Sequence, residues 1–267
     1  MKRQKSPVRW PGGKGFLAEM IVRHLGPHRT YVETCCGGAA VFWAKRREIS
    51  VAEVLNDADG ELINFYQVLH KRGRRLAAEV DSMPYSRALF VKLLAWRPRG
   101  TFHRAARFWY LNRVAFGGRR RRPPFGVMLS RRPAVLPQGV LSGLGTVIDR
   151  LRGVLFESVD VVRLIDLYDR CDTAFYVDPP FLGLSQEYAC QFAPADHARL
   201  AGALMSARGG WLLSYNDCVE VRRLYRGRHL RRIATRYTIG CNSSTGGRSV
   251  AAELLISNHP LRPMKDS

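Results

Sequence analysis

Six consecutive residues, Tyr176, Val177, Asp178, Pro179, Pro180 and Phe181, hold the parts needed to grip a planar amine. Asp178 puts a hydrogen-bond acceptor at the end of a hydrophobic run. Pro179 and Pro180 fix φ near about −65° and carry no N–H, so the local carbonyls stay free to accept. Phe181 adds a flat face that can stack. Such an assembly suits the exocyclic amine of a base such as adenine.

Two further groups have spacings that suit a second ligand. Gly37 and Gly38 follow a short β-prone run and precede a helical segment, so a ligand can approach the backbone and meet the unpaired N–H groups of a helix start. Asp57 stands twenty residues after Gly37, just past the next strand, where an acid can take both hydroxyls of a ribose. The dinucleotide fingerprint G-x-G-x-x-G is absent, which points to another ribose-bearing cofactor.

These groups need elements to place them. Strands are expected over 30–35, 50–55, 154–158, 174–178 and 211–215, with helices over 39–48, 59–70, 159–167 and 195–207. The runs 231–239 and 251–257 are expected to pair as an antiparallel hairpin around 241–248. Between 71 and 150 the strand–helix alternation lapses. Helical pieces over 86–96 and 103–116 flank an Arg/Pro-rich stretch, Gly117 to Gly126. The expected fold is α/β: a Rossmann-like, mostly parallel sheet with an antiparallel hairpin at its C-terminal edge. Residues 1–70 and 151–267 form one domain, interrupted by a mainly helical lobe over 71–150.

Composition narrows the partners. The chain has 267 residues, 46% of them hydrophobic, and a net charge of +21. Between His70 and Arg132 stand seventeen Lys and Arg against two acids, Glu79 and Asp81. Codon bias would spread arginines evenly, so this clustering points to a polyanion. There is no apolar run of 18 or more residues, so no membrane span is expected. The basic start has no apolar segment behind it and does not read as a signal peptide. Six cysteines show neither C-x-x-C pairs nor zinc-ligand spacing; they read as thiols in a reducing cytoplasm, with no metal.

Five ordered blocks resemble the DNA adenine methyltransferases of the Dam type. They are Arg9 to Lys14, Val32 to Phe42, Leu55 to Asp59, Leu111 to Arg113 with Pro124 to Gly126, and Tyr176 to Phe181; the tail Glu253 to Asn258 is also similar. The resemblance implies methyl transfer from S-adenosylmethionine to the exocyclic amine of a flipped-out adenine in double-stranded DNA. It implies Asp178, Pro179 and Phe181 as catalytic. It implies Trp10, Lys14, Gly37, Gly38, Asp57, Asp160 and Asp178 around the cofactor, Lys14 near the methionine carboxylate. Arg113, Arg119, Arg120, Arg121, Arg122 and Tyr188 would contact DNA. A monomer in the cytoplasm, at the nucleoid or in a phage-infected cell, is expected, and a cognate restriction endonuclease is an open partner.

The chain also departs from that family. Cys35 stands where an aromatic is usual, Thr34 for proline, Ala39 for a smaller residue, Val161 for phenylalanine and Phe181 for tyrosine. A lost aromatic contact is worth on the order of 1 kcal/mol beyond its area. The alternative reading is therefore a DNA-binding relative with impaired catalysis; methylation of RNA or of a protein amide is a third.

Overall fold

The computed structural model describes residues 4–127, 133–183, 192–236 and 250–263. Its strands are β1 (Thr30–Glu33), β2 (Ala52–Asn56), β3 (Val154–Glu157), β4 (Thr173–Val177), β5 (Gly210–Asn216), β6 (His229–Arg236) and β7 (Val250–Ser257). They form one sheet in the order β3-β2-β1-β4-β5-β7-β6. The first five run parallel; β7 is antiparallel to both β5 and β6. The Rossmann-like arrangement and its antiparallel edge are thus as expected. The turn of the expected hairpin lies outside the described residues.

The helices are α1 (Ala18–His24), α2 (Ala40–Ala44), α3 (Gly60–Asp81), α4 (Arg87–Ala95), α5 (Thr101–Val114), α6 (Gln138–Ser142), α7 (Leu144–Arg150), α8 (Val161–Tyr168), α9 (Pro194–Ser206) and α10 (Val219–Leu224). All five residues of β4 are buried, as a central strand covered on both faces requires. Alternate residues point to opposite faces. Tyr31, Leu55, Tyr176 and Leu212 join the core beneath the lobe helices; Val32, Val54, Phe175, Val177 and Leu213 face α8 and α9.

One expected boundary meets a continuous helix. Asp59 caps α3 by accepting the Glu61 N–H at 3.0 Å, and the helix then runs 22 residues, through the 70/71 division. It bends at Arg72 (φ −139°, ψ 31°), and beyond the bend Gly73, Leu76, Ala77 and Val80 continue the buried stripe. A Cβ on Gly73 would lie 2.7 Å from Ile148 of α7, so glycine permits that helix to close in. Phe90, Leu93, Phe102, Phe108 and Trp109 share one core with Tyr31, Leu55 and Tyr176. The middle segment therefore packs as a layer on the sheet.

The strand order makes a crevice. From β1 the chain moves outward through β2 and β3, then returns to place β4 on the other side of β1. Ligands bind at such a switch point, outside the carboxyl ends of the strands. Here those ends carry Thr34 to Gly38 after β1, Asp57 after β2 and Asp178 after β4.

Candidate active site

Asp57 is held by backbone. Its Oδ2 accepts the Gly37 N–H and its Oδ1 the Asp59 N–H, both at 2.9 Å. Each oxygen keeps a lone pair for a further donor. Burial raises its carboxyl from 3.8 to about 6, against the pull of those two N–H bonds. Asn56, 1% exposed, ties three segments together: its amide donates to Thr34 O at 2.7 Å and Val159 O at 3.1 Å, and its carbonyl accepts from Val159 N at 2.9 Å.

The glycine turn is equally fixed. Tyr66 Oη donates to Gly37 O and Trp43 Nε1 to Gly38 O, each at 3.0 Å. Gly37 has φ +47°, and a Cβ there would lie 2.4 Å from Trp10 Nε1. Trp10 is thus seated on the bare glycine. Ala39, where the resemblance leads one to expect a smaller residue, adopts φ 52° with its methyl fully buried. A left-handed conformation costs a non-glycine residue about 1–2 kcal/mol.

Two adjoining clefts share Trp10, Cys35 and Asp178. The larger encloses about 780 Å³ of empty space open to solvent and is lined by Asp57, Asp160, Val161, Pro180 and Phe192. The smaller is lined by Lys14, Gly37, Gly38 and Glu33. Sequence reading missed Phe192, which supplies an aromatic wall where Cys35 and Val161 lack one; its neighbour in space, not in sequence, gives it that place. Cys35 and Cys36 are neutral thiols, since burial pushes both upward.

Lys14 lines the smaller cleft and reaches to Asp178. Its ammonium lies 2.9 Å from Asp178 Oδ1 and 3.8 Å from Glu253 Oε2, donates to Gly12 O at 3.1 Å, and sits 4.6 Å from the Phe181 ring centre. Burial raises the Asp178 carboxyl, and Lys14 pulls it back down. Phe181 is enclosed as well. It is 8% exposed and stacks on Tyr215, centroids 5.8 Å apart at 23°, so its ring is part of the core. Pro179 is buried beside it.

Asp160 lines the larger cleft, and its carboxylate is committed. It caps α8 by accepting from Val162 and Arg163, and Arg199 grips both of its oxygens at 2.9 and 2.7 Å. The Arg199 hydrogen bonds hold its carboxyl below the usual range.

The arginines separate into distinct environments. Arg113 is 7% exposed and its Nε donates to Val135 O at 3.3 Å, so this side chain is spent inside the lobe and not on its surface. Arg119 is half-buried, Arg121 and Arg122 are exposed, and Arg120 pairs with Asp59. Tyr188 lies outside the described residues. Beside the run stands Phe116, 58% exposed, at a turn made by Gly117 (φ 65°) and Gly118 (φ 70°). Next door, Asn112 brackets the Arg9 backbone, accepting its N–H at 2.9 Å and donating to its carbonyl at 2.7 Å. The lobe thereby fixes the segment that carries Trp10 and Lys14.

The sequence pattern of the D12 class N6 adenine-specific DNA methyltransferases matches residues 10–239. The chain belongs to this family. It is 29% identical to a DNA adenine methylase of Vibrio cholerae serotype O1 over 280 residues, 96% of each chain. A Type II methyltransferase of Paramecium bursaria Chlorella virus NC1A is 22% identical, covering 96% of this chain and all of that one. The DNA adenine methylase of Escherichia coli strain K12 is 26% identical over 97% of both. The enzyme is accordingly a site-specific DNA adenine-N6 methyltransferase, and the family implies S-adenosylmethionine as donor. The clefts fit that molecule. Asp57 keeps lone pairs for ribose hydroxyls, the bare backbone at Gly37 and Gly38 admits a close approach, and Trp10, Val161 and Phe192 offer apolar walls. No helix among the described residues is long and apolar enough to cross a membrane.

Proposed function

We propose that Asp178 is the acceptor for the exocyclic amine of a flipped-out adenine, with S-adenosylmethionine held across the two clefts. The observation that carries this reading is the convergence of Asp178, Trp10 and Cys35 on both clefts at the switch point of the sheet. Bound there, S-adenosylmethionine supplies an electrophilic methyl group on a sulfonium. The amine is a weak nucleophile because its lone pair is delocalised into the ring. Asp178 and the Pro179 carbonyl accept its two hydrogens and favour a pyramidal nitrogen. Lys14 favours the ionised, accepting form of Asp178 against the upward push of burial, and Phe181 braces Lys14 from beneath. This is catalysis by positioning and electrostatics.

Asp57 holds the ribose hydroxyls, Gly37 and Gly38 border the methionine end, Trp10 spans both clefts, and Asp160 with Val161 and Phe192 borders the adenine end. Residues 71–150 act as the target-recognition segment on double-stranded DNA, with Arg119, Arg121 and Arg122 on phosphates. Phe116 is suited to wedge between base steps while the target base is out, as exposed apolar side chains flanked by cations do. The enzyme works as a monomer without a metal. Phe192 and the intact Lys14–Asp178 pair favour an active enzyme over an impaired relative.

The test is to incubate the protein with DNA and methyl-labelled S-adenosylmethionine, digest the DNA and identify the labelled nucleoside. Label on N6-methyladenine is expected. Label on cytosine, or none on DNA, contradicts the proposal.

A further inference from the structure

Arg120 stands in the middle of a four-arginine run, yet it is turned away from the role its neighbours suit. Its Nη2 and Nε lie 2.8 and 3.1 Å from one oxygen of Asp59, with side-chain exposures of 16% and 8% for the pair. The guanidinium also lies 4.3 Å from the Phe108 ring centre. Asp59 is no ordinary surface acid. Its other oxygen caps α3, its N–H donates to Asp57, and the residue is part of the lining of the larger cleft. Arg120 thus reaches from the basic loop to the residue that orients the ribose-binding acid. Burial pushes the Asp57 carboxyl up, and Arg120 is among the groups that draw it back.

The loop has little freedom to carry Arg120 elsewhere. A Cβ on Gly118 would lie 2.7 Å from Arg9, and Phe116 N–H donates to Pro124 O at 2.9 Å. Transferring Arg120 to a phosphate would leave a buried carboxylate without its cation, an expensive exchange. Arg121 and Arg122 are exposed and face no such loss.

We infer that Arg120 is a positioning residue of the cofactor cleft, not a phosphate contact, and that its pair with Asp59 links occupancy of that cleft to seating of the basic loop on DNA. This rests on the cleft assignment made above. Because linkage is reciprocal, cofactor tightens DNA binding by the same factor as DNA tightens cofactor binding.

Two titrations on the full chain test it. In calorimetry without DNA, Arg120→Gln and Asp59→Asn each weaken S-adenosylmethionine by about fivefold or more, a typical coupling. The double variant is no weaker than the worse single, as expected for one shared interaction. Asp59→Asn keeps a capping side chain, and thermal melts of each variant confirm folding. In DNA binding, Arg120→Gln leaves the slope of log K against log salt unchanged, whereas Arg121→Gln reduces it by about 0.9 and leaves cofactor affinity alone. Adding S-adenosylhomocysteine tightens DNA binding by the wild type and no longer does so in Arg120→Gln. A slope lowered by about 0.9 in Arg120→Gln with unchanged cofactor affinity would overturn the inference. So would a wild type whose DNA affinity ignores the cofactor. A wild type that binds no S-adenosylmethionine would instead sink the cleft assignment, and this inference with it.

Discussion

At the scale of single residues the site works through acids whose environments differ. Asp57 is raised to about 6 by burial yet must be ionised to accept two ribose hydroxyls. Cofactor affinity should therefore be constant above that pH and weaken as pH falls through about 6. Calorimetry across pH 5 to 8 checks this, and Asp57→Asn should bind weakly with no such dependence. Gly37→Ala makes a steric prediction. Its Cβ would drive into Trp10 at 2.4 Å from a backbone with φ +47°, so the turn or the indole must move. Cofactor affinity should fall at least tenfold, about 1.4 kcal/mol, with Trp10 fluorescence altered. The chemistry-bearing residues were readable from sequence because each stands just past a strand, where type and spacing suffice. Their partners were not. Lys14 beside Asp178, Asn56 between Thr34 and Val159, and Phe192 in the cleft that Cys35 lines come together only through tertiary folding. Arg113 and Arg120 read like any other arginines, since composition says nothing about which one the core keeps.

At the scale of elements, the strands were legible because their apolar runs are short and bounded by turn residues. The length of α3 was not. Its bend at Arg72 breaks the spacing, and the buried stripe resumes only because Gly73 admits α7. The expected division at 70/71 followed from the lapse of strand–helix alternation beyond that point; in the fold Phe108 and Trp109 are buried in the same core as Tyr31 and Tyr176. Phe108→Ala should cost about 3–5 kcal/mol. It should lower a single unfolding transition seen alike by far-UV circular dichroism and tryptophan fluorescence. On β1, Glu33 is 2% exposed; it accepts from Tyr31 Oη at 2.8 Å and Phe42 N at 2.9 Å, and burial raises its carboxyl from 4.5 to about 8. The folded state then binds this proton more tightly than the unfolded chain. Its contribution to stability is full below about 4.5 and is lost as pH rises towards about 8. Glu33→Gln should flatten the dependence of Tm on pH across that window.

At the scale of the whole molecule, fifteen of the net +21 charges come from the surplus of seventeen Lys and Arg over two acids between His70 and Arg132. The fold brings part of that segment to the switch-point crevice, where Arg120 meets Asp59 and Asn112 holds Arg9. DNA affinity should fall steeply with salt, and replacing Arg121 and Arg122 by Gln should lower the log–log slope by about 0.9 for each. Phe116→Ala should slow methylation of a paired adenine more than of one opposite a mismatch, because unpairing is already cheaper there. All of this serves one event at Asp178. The most direct measurement is the single-turnover methylation rate of Asp178→Asn, with its affinities for S-adenosylmethionine and DNA determined alongside. The rate should fall by at least about 100-fold, as for loss of a charged group at the reacting atoms, while both affinities stay within a few-fold of wild type. A rate within a few-fold of wild type would contradict the assignment of Asp178 as the acceptor of the adenine amine.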